Sequence, residues 1–297
     1  MKLSDVSKVL SFASFRAEPD DSSYSWRKRF IKRKSLLLSL SRDGVAWKSI
    51  SREGVLSETG FAEGSLKDVL DDMGPELSEL SDGGWCSVSI NQRYVISLET
   101  NLTRKDASND VLRSTPRAIL GSKTEKGKRY SLSHNPESNT SALLAVDEEY
   151  IKEIEKIFKS SGLKLGRICC GVFAMLEETL DQIQKAKREY EEKKNEQSPG
   201  GILSVISCNG SVCILKSHRD KWTELRSRVS LFSGENVDPL KKILSPMISE
   251  LSGEDQIVIN STEEGSYVKG LLGDMAPHIK INDISKGGSL WKLMSKY

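Results

Sequence analysis

Histidine is scarce in this chain, with three residues in 297, and cysteine is little commoner, with five. His134, His218 and His278 are scattered in no spacing that builds a ligand set, which argues against a zinc site or a histidine-based catalytic centre. Cys86, Cys169, Cys170, Cys208 and Cys213 are odd in number and form no C-x-x-C pair, so reduced, mostly buried thiols are expected rather than a disulfide framework. Adjacent cysteines can hold a vicinal disulfide or a soft metal, but Cys169-Cys170 sits in a short strand-like run from Arg167 to Val172, and core packing accounts for it. Long apolar runs are also missing, and none approaches the roughly 20 residues that a bilayer span needs. Residues 1–15 carry only short apolar patches, followed by the acidic Glu18-Pro19-Asp20-Asp21, a poor pattern for a secretory leader. A cytoplasmic protein is expected. Neither sign of charge dominates: 44 basic against 42 acidic side chains leave +2, so the whole molecule demands neither nucleic acid nor an anionic surface.

What is present is a globular balance, with 29% charged and 37% apolar residues over a length that suits two ordinary domains or one large two-lobed unit. Charge is concentrated at one place, where Arg27, Lys28, Arg29, Lys32, Arg33 and Lys34 crowd beside Trp26 and Phe30. Residues 1–34 read as a basic, solvated arm. Trp26 to Lys34 is also a candidate contact for a partner or for anionic lipid, where each basic residue contributes about 1 kcal/mol. A lone basic run without a binding fold gives nucleic acid weak support.

The order of elements is more informative than any single residue. Two short strands flank Arg42-Asp43-Gly44 as a hairpin with Asp-Gly at its turn, and residues 55–61 are expected to add a third strand. Ser65, with Asp68 three residues on, opens a helix carrying Leu66, Val69, Leu70, Met73, Leu77 and Leu80 on one face, which Gly74-Pro75 should kink or break. A strand at 86–90 follows. Next come a strand at 94–98, a helix within 107–120, strands at 129–133 and 141–146, a helix capped by Asp147 and stopped by Gly162, and a strand at 163–170. An amphipathic helix then runs into the charged stretch 185–194, and Pro199-Gly200-Gly201 marks the best domain boundary. The second half repeats the opening: a hairpin around Asn209-Gly210, a third strand in 222–231, a helix capped by Asp238-Pro239, a strand, a short helix from Gly265, and a last strand at 278–284.

Two units of three antiparallel strands, helix, strand, helix, with an extra block before the last strand of the first, resemble the actin-like ATPase superfamily. The block at about 94–165, including the run Ser141-Ala142-Leu143-Leu144-Ala145-Val146 and the helix ending at Ser161-Gly162-Leu163, is similar to that of the PilM and FtsA branch, related to the cytoplasmic part of GspL. The resemblance implies an α/β fold of duplicated RNase H-like lobes with a small α+β subdomain inserted in the first. The divisions would be an arm at 1–34, a first lobe at 35–198 with the insertion at about 93–165, and a second lobe at 199–297.

That superfamily holds nucleotide phosphates with two glycine-containing hairpins, each led by a magnesium-organising carboxylate. Here the first hairpin has Ser39 and Ser41 where an acid would stand, and the second reads Ser207-Cys208-Asn209-Gly210-Ser211 with no acid. Asp43, Gly44, Lys48, Asn209, Gly210 and Ser211, together with Gly265-Ser266 and Gly270 for the adenosine side, are the residues of a vestigial nucleotide cleft. ATP with magnesium is not expected to be hydrolysed, and no catalytic or metal-binding residue is assigned. The resemblance implies a scaffold on the cytoplasmic face of an inner-membrane platform of the type IV pilus or type II secretion kind. The cytoplasmic tail of a membrane partner would lie in a first-lobe groove near the insertion. An active ATPase using Asp43, Lys48, Gly210 and Gly265, or a nucleic-acid-associated factor led by the arm, are the alternatives.

Overall fold

A computed structural model describes residues 25–28, 34–41, 43–100, 102, 109–134, 141–176, 178–180, 182–183, 200–208, 211–218, 221–229, 231, 237–261, 266–285 and 289–296. The first lobe is built on β1 (Ser25–Lys28), β2 (Lys34–Leu40), β3 (Gly44–Ser49), β4 (Gly60–Glu63), α1 (Leu66–Ser81) and β5 (Trp85–Ile90). After β5 come β6 (Val95–Thr100), the short helices α2 (Asn109–Ser114) and α3 (Pro116–Leu120), β7 (Lys128–His134), β8 (Ser141–Asp147), α4 (Glu148–Ser160) and β9 (Lys164–Cys170). Helical residues 171–176, 178–180 and 182–183, here α5, lead toward the second lobe. That lobe holds β10 (Gly201–Cys208), β11 (Ser211–His218), β12 (Lys221–Arg228), α6 (Asp238–Ile248), β13 (Gln256–Ser261), α7 (Ser266–Met275), β14 (Lys280–Asp283) and α8 (Ser289–Lys296).

The duplication expected from element order is present in the strand order itself. The second sheet runs β12-β11-β10-β13-β14, and the first runs β4-β3-β2-β5-β9 with β1 added outside β9. In each lobe three antiparallel strands are followed by two parallel ones. The central strand of each, β2 and β10, is apolar on both faces: Leu36, Leu37 and Leu38 are fully buried, as are Leu203 and Val205. A near-continuous apolar run is what a strand with helices on both sides requires. Between β5 and β9 the chain builds a separate three-stranded sheet, ordered β6-β8-β7. One of its faces joins the main core through Ala142, Leu144 and Val146, while the other packs Tyr130, Leu132, Leu143 and Ala145 under Leu112 of α2. Among the described residues no helix is long and apolar enough to cross a membrane.

Several expectations need correction. Part of the stretch read as an arm, Trp26 to Lys28, lies in β1 and pairs antiparallel with β9, opposing Arg27 to Ile168 and Lys28 to Arg167. Lys34 begins β2, and Arg29, Phe30, Lys32 and Arg33 lie outside the described residues. The third strand starts at Gly60, not at 55, because Val55 is exposed and Leu56 makes only an isolated bridge to Ile50. Helix α1 runs through Pro75. The carbonyl that loses its donor there belongs to Asp71, which like Pro75 is exposed, so water can satisfy it. Asp147 occupies the N-cap position of α4 without a capping bond, its carboxylate accepting instead from Lys128 at 2.9 Å. Val237, rather than Asp238, is the N-cap of α6. The Ser65 capping box stands as expected, Asp68 N–H donating to Ser65 Oγ at 3.3 Å and Ser65 N–H to Asp68 at 3.2 Å.

Candidate functional site

The lobes are joined by one core. Ile206, Cys208, Cys213, Leu215 and Trp222 of the second lobe belong to the same buried cluster as β2, β5 and β9, and α8 returns to it through Leu290 and Met294. A methyl group added at Gly171, where β9 passes into α5, would sit 3.0 Å from each of Cys208 Sγ, Leu290 Cδ1 and Ser89 Oγ. A buried polar latch adds to this seam: the Asn260 amide on β13 donates to Met175 O at 3.3 Å and Thr179 Oγ1 at 3.1 Å on α5. The carboxyl ends of the strands thus meet with little space between them.

What remains there is a cavity of ≈ 20 Å³ lined by Ser39 and Leu40 of β2, Ser89 and Ile90 of β5, Asn91, Gln92, Cys170, Gly171, Val172, Cys208 and Ser211. None of these side chains is acidic or basic. The cysteines do not compensate, since burial above all, then the neighbouring Cys208 and Cys169 thiols, pushes the Cys170 thiol well above its usual range. Burial alone takes Cys86 and Cys213 to about 12. All five cysteines are free and buried. Gln92 is 3% exposed, and neither its amide oxygen nor its nitrogen has a hydrogen-bond partner.

Of the residues expected around a nucleotide, Ser211 lines this cavity, opposite Ser39 of the first hairpin. Asp43 does not line it; it is exposed at the β2–β3 turn and its carbonyl accepts from Gly64 at 3.2 Å. Gly44 owes its identity to packing, because a Cβ there would lie 2.2 Å from Ala62 O and 2.7 Å from the Phe61 ring. Lys48 donates to Ser57 O at 2.9 Å, away from the cavity. Ser266 and Gly270 lie in α7, where a Cβ on Gly270 would meet open space. Asn209, Gly210 and Gly265 lie outside the described residues.

A second, larger cavity of ≈ 410 Å³ opens on the first lobe. Its walls come from the β2–β3 turn (Leu40, Ser41, Gly44, Val45), the start of α1 (Gly64 to Lys67), Asn91, Arg93 and Tyr94, and α4 (Tyr150, Glu153, Ile154, Ile157). Leu40, Val45, Leu66 and Ile154 make an apolar floor, and Lys67, Arg93 and Glu153 are exposed charges at the rim. At one end Tyr94 and Tyr150 stack with centroids 4.0 Å apart and planes at 22°. The Arg93 guanidinium stands 4.6 Å over the Tyr94 ring and also donates to its hydroxyl. Burial, reinforced by Tyr94, raises the Tyr150 hydroxyl above the usual phenol range. Tyr94 precedes β6 and Tyr150 follows β8, so the pair pins both connections of the small sheet to the first lobe. The resemblance implied a groove in the first lobe near the insertion, but its residues could not be named from the sequence because it is assembled from four separated segments. The one local signal was polar Asn91-Gln92-Arg93 directly after a buried strand, the crevice position at strand carboxyl ends.

No protein-family model and no curated protein matches the chain. Solved structures do. A protein of Bacteroides thetaiotaomicron VPI-5482 with an actin-like ATPase fold and unknown function aligns over 94% of this chain and 98% of its own, at 10% identity and a TM-score of 0.50. The PilM–PilN type IV pilus biogenesis complex aligns over 88% of this chain and 90% of that one, at 12% identity and a TM-score of 0.52. The cytoplasmic domain of EpsL, an inner membrane component of the type II secretion system of Vibrio cholerae, aligns over 88% and 92%, at 11% identity and a TM-score of 0.48. With two lobes of one strand order, a small sheet between the fourth and fifth strands of the first, and the likenesses at TM-scores of 0.50 and 0.52, the chain has the actin-like ATPase fold.

Proposed function

We propose that this chain is a cytoplasmic scaffold of a type IV pilus or type II secretion platform, binding a short segment of a membrane partner in the ≈ 410 Å³ groove and turning over no ATP. The contrast between the two cavities carries the reading. Between the two hairpins, to which the resemblance would assign nucleotide phosphates, there is ≈ 20 Å³, about the room of a single water, and the described residues that line it are neutral. Magnesium requires hard anionic oxygen ligands, and phosphoryl transfer requires the developing charge to be neutralised, so these residues do not fit a magnesium nucleotide. The groove has the opposite character: open, apolar at its floor and charged at its rim, as sites that recognise a peptide are. The fold likeness to the PilM–PilN complex supports a protein partner.

Capture from native membranes followed by mass spectrometry tests the reading. Wild type should retain a membrane protein that Ile157→Arg, which places a charge in the groove, does not. Retention unaffected by that variant, or magnesium-dependent ATP turnover at an ordinary enzymatic rate, overturns it.

A further inference from the structure

The strands that end the three sheets are not defended alike. Sheet edges expose unpaired N–H and C=O groups, and proteins protect them with basic residues, proline or very short strands. β1, β7, β12 and β14 each carry lysine or arginine, and β4 is four residues long. β6 carries no basic residue or proline and is six residues long; Glu99 is its one charge. It reads Val95-Ile96-Ser97-Leu98-Glu99-Thr100, it ends the small sheet, and it pairs only with β8 among the described residues.

Its side chains add to the exposure. Val95 is buried, and Ser97 lies within 3.0 Å, Oγ to Oγ, of Ser227 on β12, so that face of the strand is covered. Ile96 and Leu98 point the other way and are 45% and 49% exposed. By register they stand beside Ala145 and Leu143, which are buried under α2. The apolar layer therefore continues across the sheet to β6, and among the described residues the helical cover stops one strand short.

We propose that β6 is a homodimer interface, pairing antiparallel with β6 of a second copy about a two-fold axis at Ser97. The pattern of β6 selects this occupant because it is its own complement. With Ser97 opposite Ser97, each Ile96 faces the second copy's Leu98 and each Leu98 faces its Ile96. Both apolar pairs fall on the uncovered face, and an isologous contact of this kind closes at two copies. The two small sheets become one, of six strands, and both free edges disappear. This surface is separate from the groove and does not depend on its role.

Sedimentation of the full chain over a range of concentrations tests it. Wild type should self-associate to a dimer, and Ile96→Lys with Leu98→Lys should weaken that association by more than about tenfold. Both positions are exposed, so circular dichroism and the melting temperature should not move. A second variant, Ile96→Cys with Leu98→Cys, should give a covalent dimer under mild oxidation, while the five buried native cysteines stay out of reach. A wild type that remains monomeric at several hundred micromolar, or a dimer indifferent to both variants, overturns the proposal.

Discussion

Replacing Arg129 by methionine should detach the small sheet from α4, and its effect should depend on pH. Arg129 on β7 donates through Nε and a terminal nitrogen to the two oxygens of Glu148, at 2.5 and 2.6 Å, and through the other to Glu155 at 3.2 Å. The side chains are 16%, 26% and 25% exposed, too sheltered for the near-zero value of a surface pair and too wet for the full effect of a buried one. A bidentate, charge-assisted contact at this depth contributes about 1–3 kcal/mol. Methionine keeps the apolar stem but leaves two carboxylates facing each other. The Glu148 carboxyl is held below its ordinary value of 4.5, chiefly by the hydrogen bond from Arg129. A depressed acid stabilises the folded state above its unfolded value and loses that contribution as pH falls through the folded one. Wild type should therefore lose stability on acidification below about 4.5, whereas Arg129→Met should be less stable at pH 7 and lose less on acidification, because protonation relieves its repulsion. Thermal melts of both proteins between pH 7 and pH 3 decide the matter, and parallel profiles would refute the reasoning.

Two further outcomes follow from the packing. Deleting residues 1–28 removes β1, bares the edge of β9 and should lower the melting temperature by several degrees, read by calorimetry. Ellman's reagent should find none of the five thiols in the native protein and all five in denaturant, since each is buried; rapid native reaction of Cys170 or Cys208 would show an opening seam.

The fold was legible where local pattern and global order agree. Apolar runs at Leu36–Leu38 and in β10, the serine cap at Ser65, and the repetition of hairpin, strand and helix were enough to give two lobes of one kind. Pairing between distant segments left no such mark. Nothing in Ser25-Trp26-Arg27-Lys28 announces that β9, more than a hundred residues on, will accept it, and its charges read as solvated. Proline at 75 misled because its cost depends on whether the freed carbonyl meets water, which is a tertiary fact. Glycine at 44 misled in the opposite way, since the demand came from Phe61 and Ala62 across the sheet rather than from the turn. A groove near the insertion was expected from the resemblance, but its residues could not be named for the reason β1 was missed: its walls are neighbours only once the chain has folded.

The return of α8 to the first lobe has a consequence for synthesis. Leu36, Leu37 and Leu38 leave the ribosome well before Leu290 and Met294, which belong to the same core. About 250 residues separate them, which at roughly 5–20 residues per second is a wait on the order of 10–50 seconds. For that interval the part of β2 from Ser35 to Leu40 is a short, uncharged, strand-forming segment without its full cover, the kind of sequence that nascent chains are prone to aggregate through. Production of this protein should therefore depend on chaperones that hold its first lobe more than its thermodynamic stability would suggest, and the last helix should act as the release step.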